Sequence, residues 1–251
     1  ALHLGDANSL IDLGTFADCL HNHDLKAKLA FELAWRTPDK LDFQDPLQPG
    51  QSYRGNHVCL SSVLRAGPHQ LPELEKFEYQ LLDSAGETIL DAKHGVRGNG
   101  KPYLEVAPLK LIKKQGRKWP IERPEKFYRF ADVTLARFQN ADSLSELPLE
   151  TERMLGSLTY LGPLRARPKR TYSWAGDIVP DVGEDGRLSI PALLAATQEG
   201  RELNRCRRHK NHPFDQFIAL WLRELGVASR FSVPPAAHGR HTHEVLITRH
   251  I

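Results

Sequence analysis

The segment LKAKLAFELAW, residues 25–35, decides the fold class of this chain. Its side chains alternate between apolar and charged with a period of two. One parity carries Leu25, Ala27, Leu29, Phe31, Leu33 and Trp35, and the other carries Lys26, Lys28 and Glu32. The second parity also holds Ala30 and Ala34, but six successive apolar residues at one parity are typical of a β-strand with one buried face. The segment therefore predicts a half-buried strand.

Further extended segments follow at short intervals along the chain. A loop rich in Pro, Asp and Gly is predicted at residues 37–51, and extended runs are predicted at 57–64, 77–81 and 103–112. Turn-forming residues separate these runs. Short strands joined by turns favour antiparallel pairing between neighbours. We therefore expect an antiparallel meander over residues 25–113.

The second half of the chain has a helical pattern. Helices are predicted at 143–155, 190–205 and 213–225, and the last is the clearest because its apolar residues recur at helical spacing. We expect that apolar stripe to lie in the core. The predicted fold class is α+β, an antiparallel β-meander followed by helices and loops. Its regions are a leading loop or helix segment at 1–24, an antiparallel β-rich region at 25–114, a connector with a short helix at 115–150, and a region of loop, helices and terminal strand at 151–251.

The composition restricts the class of protein. The chain has 251 residues, of which 40% are hydrophobic and 26% charged, and its formal net charge is +3. These values are typical of a globular protein with a sizeable core, and they exclude collagen-like and wholly disordered chains. The charge is too small to require a nucleic acid or an anionic membrane as partner. No apolar run approaches the roughly 18 residues of a membrane span, so we expect no membrane partner.

The cysteines and the chain ends lead to two further expectations. The three cysteines are widely spaced and odd in number, which predicts a reducing, cytoplasmic compartment rather than a disulfide framework. The chain begins with Ala1, and it ends on an apolar run at 245–247 that needs a neighbouring strand. We therefore expect the sequence to be the interior of a longer protein.

One segment comes close to a phosphate-binding loop. GVRGNGKP, residues 95–102, has the glycines and the lysine of such a loop, but Pro102 stands where a hydroxyl should ligate magnesium. A strand pattern follows, whereas a phosphate loop leads into a helix. The segment therefore predicts a hairpin turn that uses Gly98, Asn99 and Gly100 at positive φ.

Metal and hydrolase motifs are weak in this sequence. Cys206, His209 and His212 are three residues apart, and further histidines lie at 238, 241, 243 and 250, but no standard zinc-finger spacing occurs. We interpret the cluster as the end of a solvated basic helix and a His-rich loop, and we assign no metal ligand. The sequence patterns of serine hydrolases and zinc peptidases do not occur in the chain. No catalytic residue is assigned.

Two basic runs are candidates for binding anions. The first run carries Arg165, Arg167, Lys169 and Arg170. The second run, at 201–210, is interpreted as a solvated face. Guanidinium groups bind phosphate through paired hydrogen bonds, so the first run could hold the phosphates of a nucleotide or a nucleic acid. Tyr172 and Trp174 follow closely and could offer a stacking surface for bases.

The segment at 157–188, SLTYLGPLRARPKRTYSWAGDIVPDVGEDGRL, resembles part of the predicted ABC-type AAA ATPases of the overcoming-lysogenization-defect-like group. The resemblance rests on a YLGPLR-like block, a basic and an aromatic residue, and a V-G-x-x-G turn. The matching residues are Tyr160, Leu161, Gly162, Pro163, Leu164, Arg165, Arg170, Tyr172, Val182, Gly183 and Gly186. The segments at 4–24 and 214–227 are similar to other parts of these ATPases.

The resemblance implies an incomplete ATPase head of the ABC type. Such heads bind ATP and Mg²⁺ and pair as homodimers around the nucleotide. The chain contains no phosphate loop, signature motif or acidic magnesium motif, so the resemblance implies a scaffold between the nucleotide motifs that is inactive alone. The candidate contacts to phosphate or to the opposing subunit are Arg165, Arg167, Lys169, Arg170 and Tyr172. The alternative is a module that binds nucleic acid or a partner effector protein through its basic loops.

Overall fold

A computed structural model of the chain describes residues 2–6, 9–48, 50–116, 120–179, 181–204, 210–234 and 241–248. The chain divides into two compact units, Ala1–Leu158 and Thr159–Ile251. The fold is α+β, and the first unit is built on an antiparallel meander. Among the described residues, no helix is both long enough and apolar enough to span a membrane.

The sheet of the first unit has five strands in sequential order. They are β1 (Leu29–Gln44), β2 (Ser52–Ala66), β3 (Pro72–Leu82), β4 (Thr88–Val96) and β5 (Pro102–Ala107). Each strand pairs antiparallel with the next. The meander predicted from the alternating pattern is confirmed.

Strand β1 follows the predicted alternation from Leu29 and extends beyond Trp35. Residues 25–28, predicted as its beginning, form a turn and bend before it. Leu33 and Trp35 pack against the core, whereas Glu32 is exposed. The loop predicted at 37–51 is wrong in its first half, because the strand continues to Gln44 through a shift of register between Arg36 and Leu41. Beyond that irregularity Phe43 is fully buried, and its burial extends the strand.

The segment that follows the sheet covers one of its faces. It contains the short helix α1 (Asp132–Leu135), a 3₁₀ turn at Asp142–Ser145 and the helix α2 (Glu146–Gly156). Together these last two elements confirm the helix predicted at 143–155. The core of the unit contains the fully buried Leu60, Phe77, Tyr79 and Leu81 of the sheet, together with Phe130, Leu144 and Leu147 of the covering segment.

The second unit is made of two helices and short strand pairs. The helices are α3 (Ser189–Gln198) and α4 (Phe214–Glu224). The strands are β6 (Thr171–Ser173), β7 (Glu202–Leu203), β8 (His212–Pro213), β9 (Arg230–Ser232), β10 (Thr242–Glu244) and β11 (Leu246–Thr248). They pair antiparallel as β6 with β10, β9 with β11, and β7 with β8.

Both helices of the second unit differ from their predictions. Helix α3 ends before Gly200, whose φ of +69° stops the helix, so the predicted continuation is wrong over residues 200–204. Arg205 lies outside the described residues. Helix α4 lies where predicted, but none of its described side chains is buried. Trp221 is 43% exposed and Leu225 is 67% exposed. The apolar stripe of α4 is therefore only partly covered.

Candidate functional site

The basic loop of the second unit is held by backbone hydrogen bonds. The N–H of Gly162 donates to the carbonyl of Glu184 at 2.8 Å, and the N–H of Ala166 donates to the carbonyl of Asp185 at 2.8 Å. These bonds join the YLGPLR block to the V-G-x-x-G turn. The bonded residues are 22 and 19 residues apart in sequence. The two parts of the motif thus form one local structure, which the sequence pattern did not predict.

The turn at 181–187 has a geometry that its sequence explains. Gly183 and Gly186 have φ values of +74° and +78°, a region that favours glycine. Oδ1 of Asp181 accepts the N–H of Gly183 at 2.7 Å, and Oδ1 of Asp185 accepts the N–H of Arg187 at 3.0 Å. These Asx turns fix the carbonyls that anchor the basic loop.

Close approach explains the glycine at 162. Gly162 is buried, and a Cβ added there would lie 3.3 Å from Cγ of Glu184. A Cβ at this position would require the Glu184 side chain to shift by a few tenths of an ångström. The glycine thus allows the basic loop to lie directly against the turn.

The four predicted cations are all exposed. Arg165 Nη1 donates to the carbonyl of Gly162, so this guanidinium folds back on its own loop. Arg167, Lys169 and Arg170 extend from the same loop. Within the part of the chain that the structure describes, none of the four forms an ion pair with a carboxylate. The loop therefore presents four cations that have no carboxylate partner within the described ranges.

The two aromatic residues take part in the local structure. Tyr172 lies on β6, and its hydroxyl accepts the backbone N–H of Lys169 at 3.0 Å. Nε1 of Trp174 donates to the carbonyl of Asp177 at 2.9 Å, and its ring centroid lies 6.0 Å from that of His243. Both residues are half-buried. Both residues therefore help to order the loop while remaining partly exposed. The stacking surface expected of this pair stays a prediction.

A cleft of about 510 Å³ lies beside part of the basic loop. Lys169, Arg170 and Tyr172 line it, whereas Arg165 and Arg167 do not. The remaining lining side chains are apolar and come from Pro168, Ile190, Leu222, Val227, Ala228, Phe231, Val245 and Ile247. The sequence pattern did not predict this cleft, because its walls come from five separate segments of the chain.

The segment at 95–102 forms a hairpin turn, as predicted. Arg97 and Lys101 close it, with the N–H of Arg97 donating to the carbonyl of Lys101 at 2.9 Å. Only Gly100 has a positive φ, +79°, so the positive φ predicted for Gly98 and Asn99 is wrong. Asn99 instead accepts the N–H of Lys101 with its side chain at 3.1 Å.

The other candidate clusters fall mainly on residues outside the described ranges. These residues include Cys206, His209, His238 and His250, and the basic residues at 205–209. Arg201, which begins the second basic run, pairs with Glu199 at 3.0 Å. Over the described ranges, no group of three or more His, Cys, Asp or Glu is placed to hold a metal ion.

The chain was compared with models of protein families, with curated proteins and with solved structures, and nothing matches in any of the three comparisons.

Proposed function

We propose that this chain is the framework segment of an ATP-binding ABC-type ATPase, located between the nucleotide motifs and inactive alone. The observation that supports the proposal is the pairing of Gly162 and Ala166 with Glu184 and Asp185. This pairing makes one ordered platform from the two sequence blocks that carry the family resemblance. On that platform lie the four exposed cations.

The charges on the platform are suited to phosphate. A guanidinium group forms charge-assisted, paired hydrogen bonds with phosphate oxygens. Arg167 is exposed and forms no ion pair among the described residues, and Lys169 and Arg170 share this property. In the proposed complete protein these side chains contact the ATP phosphates or the opposing subunit of a homodimer. ATP and Mg²⁺ bind there through motifs outside this chain, and Arg165 supports the loop through its bond to Gly162.

The hairpin at 95–102 supports the inactive part of the proposal. A phosphate loop needs backbone N–H groups at the start of a helix. Here the N–H of Arg97 is bonded to Lys101, and β5 follows directly. Lys101 therefore lies at the tip of a hairpin and not at a helix N-terminus.

The test uses the complete protein encoded by the gene. Changing Arg167, Lys169 and Arg170 to Gln should lower ATP hydrolysis or ATP-dependent dimerisation by about tenfold or more, because the phosphate charge loses its partners. Lys101→Met is the matched control and should leave both unchanged. Unchanged activity and dimerisation in the triple variant would refute the role of the loop. Hydrolysis of ATP by the 251-residue chain alone would refute the framework role.

The second candidate function is a module that binds nucleic acid or an effector protein. The same exposed cations favour it, since phosphate contacts from such side chains dominate non-specific nucleic-acid binding. Fluorescence polarisation of a labelled oligonucleotide at about 50 and 200 mM salt tests this candidate. Binding that falls steeply with salt supports it, whereas no binding at the lower salt concentration excludes the nucleic-acid form.

Both candidate functions include a cytoplasmic location. Cys19 and Cys59 are free thiols, which is typical of proteins in a reducing compartment.

A further inference from the structure

The cleft of the second unit has the size and lining of a small-molecule site. Its volume of about 510 Å³ falls within the roughly 300–1,000 Å³ that is usual for pockets that bind organic ligands. Such pockets combine apolar walls with a few polar groups that orient the ligand. The cleft has this composition, with eight apolar lining residues and three polar ones.

The walls come from elements that are tied together. Helix α3 contributes Ile190 and helix α4 contributes Leu222. The pair of β9 and β11 contributes Phe231 and Ile247, which are direct partners in the strand register. Ser229, next to the lining residue Ala228, donates its N–H to the carbonyl of Thr248 at 2.8 Å. The apolar floor is therefore formed by hydrogen-bonded strands and two helices.

The charge of the cleft is all of one sign. Among the described residues, its ionisable lining groups are Lys169, Arg170 and Tyr172, and none of the described lining residues carries a carboxylate. Neither Lys169 nor Arg170 has a carboxylate partner within the described ranges. Their backbone is fixed, since the N–H of Lys169 donates to the Tyr172 hydroxyl at 3.0 Å and the carbonyl of Arg170 accepts the N–H of Val245 at 3.5 Å. Two cations thus stand at the edge of an apolar cavity.

We propose that this cleft binds a small amphipathic organic anion. The apolar body of the ligand lies against Leu222, Phe231 and Ile247, and its carboxylate, phosphate or sulfonate group is held by Lys169 and Arg170. An anion at this position gains two charge-assisted contacts that a neutral ligand of the same shape lacks. Burial of its apolar body adds the hydrophobic contribution. The proposal does not depend on the ATPase proposal, because the ligand is retained by the walls of the second unit alone.

The experiment uses two dyes of similar shape and different charge. Anilinonaphthalene sulfonate is an aromatic anion, and phenylnaphthylamine has the same aromatic body without the sulfonate. Both become fluorescent in an apolar site, so titration of the full chain gives a dissociation constant for each. The anionic dye should bind saturably at one site per chain and more tightly than the neutral dye. Decanoate should displace it, whereas decanol should displace it less effectively.

Variants separate the two parts of the site. Lys169→Gln combined with Arg170→Gln should raise the dissociation constant of the anionic dye by about tenfold, because the charged contacts are removed. The dissociation constant of the neutral dye should not change. Ile247→Ser should raise the dissociation constants of both dyes. Ile247 is 58% exposed, so we expect the fold to tolerate this change. Arg167→Gln removes a charge from the same loop outside the cleft and should change neither constant. Thermal unfolding of each variant verifies that it is folded.

Three results would overturn the proposal. The first is non-saturable dye binding, which would mean a diffuse apolar surface. The second is an equal loss of affinity for both dyes in the variant that lacks Lys169 and Arg170. This would mean that the cations only maintain the shape of the cleft. The third is an equal effect of Arg167→Gln on the anionic dye, which would mean attraction by the loop as a whole.

Discussion

The phenol oxygen of Tyr79 on β3 lies 2.7 Å from Oγ1 of Thr151 on α2, and both side chains are completely buried. The Tyr79 hydroxyl also lies 2.8 Å from the carbonyl of Tyr128, and Thr151 donates to the carbonyl of Leu147 at 2.9 Å. Each hydroxyl carries one proton, so the two protons fill only two of these three contacts at any one time. Burial raises the pKa of Tyr79 above its usual value, so the phenol remains neutral and able to donate. This network ties the sheet to the helix that covers it.

Removing the Tyr79 hydroxyl should destabilise the first unit. We expect Tyr79→Phe to lower the free energy of unfolding by about 1–3 kcal/mol, because the buried carbonyl of Tyr128 loses its donor. Urea unfolding followed by far-UV circular dichroism measures the change. Thr151→Val and the double variant complete a mutant cycle. Strictly additive effects would show that the two hydroxyl groups do not interact.

We expect His94 to make the first unit sensitive to acid. It is fully buried on β4, and its ring is stacked on Phe130 with centroids 5.9 Å apart. Nδ1 donates to the carbonyl of Tyr103 at 2.6 Å, and within the described residues Nε2 has no hydrogen-bond partner. Burial lowers the pKa of His94 below its usual value, and the bond to Tyr103 offsets part of that effect.

The sign of the pH dependence follows from the lowered pKa. Below about pH 6.5 the unfolded chain binds a proton that the folded chain binds only at lower pH. The free energy of unfolding should therefore fall as the pH falls below this value, and His94 should contribute no pH dependence above it. The measurement compares urea midpoints at about pH 7.5 and pH 5.5. His94→Phe should lose part of the difference between the two midpoints, and a variant with the full difference would exclude His94 as its source.

Asn140 holds together the segment that follows the sheet. Its buried side chain accepts the N–H of Ile112 at 3.1 Å and donates to the carbonyl of Lys110 at 2.9 Å and to Asp45 at 3.3 Å. Asn140→Ala should lower the free energy of unfolding by about 2–4 kcal/mol, because several buried polar groups lose partners at once. The exposed neighbour Gln139 makes one side-chain bond, at 3.1 Å to Lys113. Gln139→Ala should therefore lower the free energy of unfolding by less than about 1 kcal/mol, measured by urea unfolding. Equal losses in the two variants would contradict the structural role of Asn140.

The hairpin between β4 and β5 distinguishes two glycines that look alike in the sequence. Gly100 has a φ of +79°, and the φ of Gly98 is not positive. Gly100→Ala should lower the free energy of unfolding by roughly 1–2 kcal/mol, because a Cβ is strained in the left-handed region. A Cβ at Gly98 would contact nothing within 4 Å, so Gly98→Ala should be neutral or slightly stabilising. Thermal unfolding of the two variants tests the ranking, which a reversed order would refute.

The strands of the first unit could be predicted where the alternation is unbroken. The parity of residues 25–35 places Leu33 and Trp35 correctly on the covered face. The continuation of β1 was missed because Pro38 and Asp39 are loop-forming residues by composition. A proline is tolerated there because β1 is an edge strand of the described sheet and is irregular between Arg36 and Leu41. Propensity alone does not reveal such an irregularity.

The candidate site was predictable in its charges and not in its shape. The positions of Arg167 and Lys169 follow directly from the sequence, but the contact between Gly162 and Glu184 is a backbone hydrogen bond that leaves no side-chain pattern. The sequence pattern also did not predict the partial exposure of α4. An apolar stripe has the same spacing whether it is covered completely or lines an open cleft.

The bonds that hold the basic loop to its turn use main-chain groups only, from Gly162 to Glu184 and from Ala166 to Asp185. Every residue type supplies a carbonyl, and all except proline supply an N–H. The side chains at 163, 164 and 167 can therefore change without loss of these main-chain bonds, provided that the glycines are kept. Ligand preference at this loop is thus free to diverge among descendants that share the same backbone.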